Sequence, residues 1–270
     1  VGMLAIQITA NDLASSGAEP VGVMLTVLLP EEIEEEDIRE MMRQVEEACA
    51  HFHIQVMGGH TEVTRAVTQP VISVTGVGKV REDRLVSTAG AKPGQDILVT
   101  KWIGIEGTSI IAKEKEKELL ERFSQAFVDT AKGFDQYLSV LPDSRIAVEH
   151  GVSAMHDVTE GGIYGALWEV AEASGIGLEI DLKAIPIRQE TIEICEYFEL
   201  NPYYLISSGC MLMAADQGHD LVRKLEAAGI PAAVIGKATD GKARRIWNGG
   251  EESYLERPKT DELYKIYHKN

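Results

Sequence analysis

Seven residues, His156-Asp157-Val158-Thr159-Glu160-Gly161-Gly162, constrain this chain more than any other stretch. They follow an apolar-leaning run, Val152 to Met155, and open a strongly helical one, Ile163 to Ser174. The pattern predicts a strand, a tight turn and a helix, so two acids, a hydroxyl and two adjacent glycines meet at a helix start. A helix N-terminus carries unpaired N–H groups and a partial positive charge. Glycine lets a ligand approach that backbone closely. Acids beside such amides repel a bare phosphate, so a phosphate there requires a metal ion between them. Taken alone, the stretch favours a structural reading, in which Thr159 or Asp157 is the N-cap and the glycines make the turn.

Three other stretches are of the same kind. Asn11-Asp12 stands in a helical pattern that stops at Gly17-Ala18-Glu19-Pro20. Gly58-Gly59-His60-Thr61-Glu62 follows the short apolar run Ile54 to Met57 and reads as a glycine-rich turn. Gly104-Ile105-Glu106-Gly107-Thr108 follows the strand pattern Asp96 to Thr100 and reads as a second glycine-and-hydroxyl turn at a helix start. Four such stretches, three of them after a strand, raise the expectation of a phosphate-plus-metal site. Neither a Walker-type glycine-lysine loop nor a Gly-x-Gly-x-x-Gly fingerprint occurs, so a nucleotide would have to be held by another scaffold. His60 and His156 each lie in a glycine motif, as a general acid/base or as a polar neighbour of a phosphate. No histidine pair has the helical spacing of a zinc site.

The formal net charge is −17 over 270 residues, which argues against nucleic acid or an anionic membrane as the main partner. Any phosphate must then be held by local N–H groups and metal. Cys49, Cys195 and Cys210 are odd in number and far apart, which suits a reducing cytoplasm. The chain starts at Val1-Gly2, and a further N-terminal segment is expected before it.

Taken in order, the first part reads helix (Leu4 to Ser16), strand (Val21 to Leu29), a helix after the acidic run from Glu31 to Asp37, a short strand (Ile54 to Met57) and a longer one (Val71 to Val80). This is a compact α+β unit whose sheet has one face open if the helices cover only the other. Ala89-Gly90-Ala91-Lys92-Pro93-Gly94 is the expected boundary, giving domains 1–90 and 91–270. The second part alternates strands with helices. It includes a long helix over Glu116 to Leu138, a helix from Pro186, and a hairpin around Asn248-Gly249-Gly250.

In order and spacing, Asn11-Asp12…Gly17-Ala18-Glu19-Pro20, Gly58-Gly59-His60-Thr61 and His156-Asp157-Val158-Thr159-Glu160-Gly161-Gly162 resemble the aminoimidazole ribonucleotide (AIR) synthase superfamily. With the ending Thr260-Asp261-Glu262-Leu263-Tyr264-Lys265, the chain looks most like its AIR synthase-related branch, near the hydrogenase-maturation dehydratase that makes a nitrile. The resemblance implies a two-domain AIR synthase-like fold: an N-terminal ferredoxin-like half-barrel domain of α+β type, and a C-terminal α/β domain. Two N-terminal domains would pair their sheets into a barrel, making a homodimer. ATP and Mg2+ are the implied cofactors, with the γ-phosphate passing to an amide or carboxamide oxygen.

The resemblance also distributes roles. Asp12 is the metal acid. Asn11, Gly17, Gly58, Gly59, Thr61, Thr159, Gly161 and Gly162 hold nucleotide or phosphate, to which the turn of Gly104, Gly107 and Thr108 is added. His60, His156, Asp157 and Glu160 are the catalytic candidates, and Glu160 stands where branches of the family differ. Hydrogenase-maturation members end in a cysteine that carries a carbamoyl group. This chain ends Tyr267-His268-Lys269-Asn270, which argues against that specific reaction unless a partner supplies the thiol. Two alternatives stay open: AIR synthase chemistry itself, and a dimeric binding or scaffold protein without catalysis.

Overall fold

The computed structural model describes residues 2–268, without the side chain of His268; Val1 and the last two residues of the predicted ending lie outside the described residues. The chain divides into two compact units, Val1–Leu85 and Val86–Asn270. The division falls five residues before the expected boundary. The reason is that Thr88–Gly90 forms a 3₁₀ turn tied to the second unit: Ser174 Oγ donates to Thr88 O at 3.1 Å and accepts from Ala91 N at 3.2 Å.

In the first unit α1 (Gly2–Ser15) leads to β1 (Glu19–Leu29), α2 (Glu35–Phe52), β2 (Gln55–Val63) and β3 (Val71–Lys79). The sheet order is β2-β1-β3, with β1 and β2 parallel across the α2 crossover and β3 antiparallel to β1. Alternation along β1 sorts its side chains. Val23, Leu25, Val27 and Leu29 are buried, while Met24 and Thr26 are exposed. The buried face belongs to the helices: a Cβ added at Gly76, opposite Val23, would meet Thr9 and Leu13 of α1. Met41, Val45, Ala48 and Cys49 give α2 its buried stripe, and its first turn, Glu35-Glu36-Asp37, opposes the positive end of the helix dipole. The other sheet face carries Met24, Thr26, Ser73 and Thr75 in register, and all four are exposed, as the alternation predicts.

One expectation fails here. Gly58 to Glu62 is not a turn after a short strand. It lies inside β2, which pairs with β1 from Gln55 to Val63. Gly58 and Gly59 keep the strand running in an extended backbone of positive φ, 154° and 155°, which side-chain-bearing residues rarely adopt. A Cβ at Gly59 would also collide with Leu25 O of β1.

The second unit contains β4 (Asp96–Thr100), α3 (Ile105–Glu114), α4 (Glu116–Leu119), α5 (Gln125–Lys132), α6 (Leu141–His150), β5 (Ala154–Val158), α7 (Gly162–Ser174), β6 (Gly177–Asp181), α8 (Gln189–Phe198), β7 (Cys210–Ala215), α9 (Gly218–Ala227), β8 (Ala232–Thr239), β9 (Arg244–Asn248), β10 (Glu251–Tyr254) and α10 (Lys265–His268). Its sheet runs β10-β9-β6-β8-β4-β7-β5 and is antiparallel except for β6 and β9. Every residue of β4 and β7 is buried, as central strands covered on both faces require. One core packs α7 (Ile163, Leu167, Val170) against Val158, Leu212 and Ala214 of the sheet. A second gathers α3, α5 and α8 through Ile111, Val128, Ala131, Ile194 and Phe198.

The long helix expected over Glu116 to Leu138 is broken. α4 ends at Leu119, and α5 restarts after Ser124, whose Oγ accepts from Phe127 N at 3.3 Å. The expected helix from Pro186 begins only at Gln189. Among the described residues no helix is long and apolar enough to cross a membrane.

Candidate functional site

In the first unit the predicted residues sit at different depths. Asn11 is buried, and its Oδ1 accepts from Gln7 Nε2 one helical turn back at 2.9 Å, so its side chain belongs to the packed face of α1. Asp12, next to it, is exposed. Gly17 (φ 77°) ends α1, and its N–H donates to Ala14 O at 2.8 Å. Its role in this conformation is that of a helix stop, because its one amide proton is used within the chain. Gly58, Gly59, His60 and Thr61 are all exposed along the edge strand β2. His60 Nε2 lies 3.3 Å from Glu62 Oε2, two residues on and on the same strand face.

In the second unit the topology brings the two glycine turns to one end of the sheet. β4 and β5 each pair antiparallel with β7, so their C-terminal ends lie together and the N-terminal end of β7 lies between them. α3 starts from one and α7 from the other, and the residues leading into β7 fill the space between. Gly104 N donates to Ser207 Oγ at 2.6 Å, Gly107 N to Ile206 O at 3.1 Å, and Thr108 N to Gly104 O at 2.9 Å. The Thr108 hydroxyl is bonded to Thr191 Oγ1 at 2.8 Å. Gly162 N donates to Thr159 O at 3.0 Å, and a Cβ at Gly162 (φ 62°) would stand 2.6 Å from Tyr203 O. These glycines let the 203–209 segment approach both helix starts, and the amides of Gly104 and Gly107 hold it there. The phosphate cradle expected from Gly104, Gly107, Thr108, Gly161 and Gly162 is therefore closed by the chain itself in this conformation.

The N-cap of α7 is Gly161, in the left-handed region at φ 84°, and no side chain of the motif caps the helix, which corrects the Thr159 or Asp157 cap. The group that meets these amides comes from 100 residues away. Asp261 Oδ2 accepts from Gly161 N at 2.7 Å, and Oδ1 from Leu263 N at 2.8 Å. Burial pushes the Asp261 carboxyl above its ordinary value, although N–H groups of Leu263, Gly161 and Ile206 pull the other way. Tyr264, three residues on, donates its hydroxyl to Glu160 Oε1 at 2.8 Å. Glu106, in the first turn of α3, is 3% exposed, and its Oε2 has no hydrogen-bond partner. Burial raises its pKa, Ser208 lowers it in part, and Asp261 adds a further rise.

His156 and Asp157 point to opposite faces of β5, the edge strand. His156 Nε2 lies 2.6 Å from Glu169 Oε2 on α7, and Nδ1 lies 3.8 Å from Asp157 Oδ1. Burial alone would lower the His156 pKa, but Asp157 and Glu169 outweigh it and the net shift is upward. The pairing thus favours the imidazolium more than in a free histidine. Asp157 is 6% exposed, and its Oδ2 has no hydrogen-bond partner. An orphaned carboxylate oxygen at a strand end is costly unless a cation or a donor completes it. Among the described residues no group of three or more His, Cys, Asp or Glu side chains could by itself hold a metal ion, so Asp12 stands outside any such cluster.

Asp261, Tyr264, Glu106 and Ser207 were not singled out as site residues from the sequence. Asp261 and Tyr264 stand in the ending that carries the branch resemblance, and Asp261 also has the spacing, two residues before Leu263, at which an Asp side chain accepts from the backbone ahead of it.

Fold and turns together define a protein of the AIR synthase-like class. The chain belongs to the AIR synthase related family: the N-terminal domain model matches residues 1–80 and the C-terminal one residues 92–248. It is 31% identical over 244 residues to a hydrogenase expression/formation protein of Methanocaldococcus jannaschii, covering 88% of this chain and 70% of the relative. It is 30% identical over 242 residues to carbamoyl dehydratase HypE of Cupriavidus necator, covering 85% and 67%. Among solved structures, hydrogenase maturation protein HypE in complex with ATP superposes with a TM-score of 0.83 at 22% identity, over 98% of this chain and 81% of that one. A thiamine monophosphate kinase from Aquifex aeolicus does so with 0.73 at 21%, over 94% and 82%. The two-domain architecture expected from the motifs is thereby established, with a C-terminal sheet that is mostly antiparallel.

Proposed function

We propose that this chain is an ATP- and Mg2+-dependent dehydratase of the hydrogenase-maturation branch, acting on a carboxamide-type oxygen. The observation that carries the reading is the likeness to carbamoyl dehydratase HypE along most of both chains, joined to an acid-bearing turn with an orphaned Asp157 oxygen. ATP supplies the γ-phosphoryl group that turns the carboxamide oxygen into a leaving group, and magnesium neutralises phosphate charge. In atoms, the carboxamide oxygen takes the phosphoryl group, ADP leaves and one N–H proton is lost. The C–O bond then breaks, inorganic phosphate departs with the second proton, and a nitrile remains.

The residues divide the work by chemistry. Exposed Asp12 is the acid for magnesium, and exposed Gly58, Gly59 and Thr61 offer backbone and hydroxyl to phosphate oxygens. The orphaned Asp157 oxygen fits a cation or an acceptor N–H. Glu160 has one oxygen held by Tyr264, which leaves the other to accept from the carboxamide nitrogen and take its proton. His156 lies between the acids Asp157 and Glu169, which raise its pKa. The uncovered face of the first unit's sheet supports a homodimer formed through that face. Three free cysteines and a surplus of acids suit a cytoplasmic protein.

The test is ATP turnover with an S-carbamoyl-cysteine peptide as acceptor, for wild type and Asp12→Ala. The expected result is acceptor-dependent ADP release that falls at least a hundredfold in the variant. Equal rates, or no turnover, would overturn the reading. Turnover with formylglycinamidine ribonucleotide instead would move the protein to AIR synthase chemistry.

A further inference from the structure

We infer that Asp261 is a positioning residue for the Asp157–Gly162 turn and that Tyr264 aims the Glu160 carboxylate. The inference rests on the proposed dehydratase reading for its kinetic part. Asp261 is 3% exposed and comes from the segment after β10, about 100 residues from the glycine turn it meets. Its Oδ2 takes the Gly161 amide, its Oδ1 takes that of Leu263, and the Ile206 N–H also faces it. Ile206 in turn accepts from Gly107 N, and Ser207 from Gly104 N. One buried carboxylate thus joins the starts of α3 and α7 through the 203–209 segment.

This changes what the turn can bind. The exposed amide of a helix start is a natural anion site. Here a carboxylate already fills it, with Glu160 beside it, while the neighbouring Glu262 is paired with Lys265, whose Nζ donates to both its oxygens at 2.7 Å. A second anion is repelled. A ligand at this turn is therefore one that offers N–H groups to carboxylates, a carboxamide, while phosphate oxygens are held elsewhere. Tyr264 fixes one Glu160 oxygen and so sets the direction of the other.

The experiment compares wild type, Asp261→Asn and Tyr264→Phe by amide hydrogen exchange and by steady-state kinetics with ATP and the S-carbamoyl-cysteine peptide. Asn keeps the shape but turns an NH2 toward an N–H. In Asp261→Asn the Gly161 and Ile206 amides are expected to exchange at least tenfold faster while β4 and β7 keep their protection. The kcat is expected to fall at least tenfold, with KM for ATP unchanged. Tyr264→Phe is expected to leave exchange as it was and to raise the peptide KM several-fold, which a purely structural role would not do. Unchanged Gly161 exchange in Asp261→Asn overturns the inference, as does faster exchange with unchanged kcat. If Asp261→Asn does not fold, Tyr264→Phe decides, and an unchanged peptide KM overturns it. If wild type turns over no ATP, the dehydratase reading fails by itself, and the exchange of Gly161 and Ile206 decides whether Asp261 sets the turn.

Discussion

Two pairs of adjacent glycines, Gly58-Gly59 and Gly161-Gly162, look alike in the sequence and do opposite things in the fold. The first pair lies inside an edge strand with every residue exposed. The second is buried at a helix start, where Gly162 packs against the backbone of Tyr203 and Leu205. In one case glycine keeps a strand extended in a backbone other residues avoid. In the other it lets one piece of chain sit against another. The lesson is that a glycine motif specifies a backbone, and only its surroundings decide whether that backbone is offered to a ligand. By this criterion the first pair is open and the second is closed by Asp261.

The sharpest way to break this contrast is Gly162→Ala. Its Cβ would press on Tyr203 O and Leu205 O at 2.6 and 2.8 Å, at φ 62°. A loss of about 3 kcal/mol is expected in denaturant unfolding of the protein. A loss under about 1 kcal/mol would mean that the 203–209 segment does not press on α7 as described. Gly58→Ala meets no atom within 4 Å and suffers only from its φ of 154°. Its expected cost is about 1–2 kcal/mol, so chemical denaturation should rank it clearly below Gly162→Ala.

The exposed sheet face beside Gly58 offers a third test. Met24 is 45% exposed and stands opposite Thr75 on that face. If two copies pair there, Met24→Lys should weaken self-association at least tenfold, about 1.4 kcal/mol, in sedimentation equilibrium. An unchanged mass distribution would remove the dimer from the first unit's open face.

The smallest effect concerns His156 in the closed region. Its pKa is raised in the folded protein, so its ion pairs stabilise fully below the unfolded value near 6.5 and are lost as pH rises through the folded value. His156→Asn should flatten that loss, by about 1 kcal/mol or less because Glu169 is half exposed. The measurement is unfolding free energy against pH from 6 upward; an unchanged slope would show that Glu169 does not hold the imidazolium.

Much of this was legible beforehand because it is local. The alternation of β1, the acidic start of α2 and the hairpin at Asn248-Gly249-Gly250 depend on neighbours in sequence, and the structure repeats them. The break after α4 was less legible. Leu120, Phe123 and Phe127 keep a helical spacing across it, and only the Ser124 cap marks the restart. The extension of β2 through its glycines was also missed, because pairing with β1 outweighs the turn preference of Gly-Gly.

The sequence by itself determined the family, the alternation that leaves one sheet face bare, and the residues that make the strand-to-helix turn at Gly161. Spacing and residue type are enough for those, since period and backbone preference act over a few residues. Only the tertiary structure decided who uses the turn's amides. Asp261 reaches Gly161 across 100 residues of chain, and no pattern of neighbours encodes that a carboxylate in the last segment will arrive at the helix start before a phosphate does. The same holds for Asp157 and Glu106, whose burial follows only once the sheet has brought the ends of β4, β5 and β7 together.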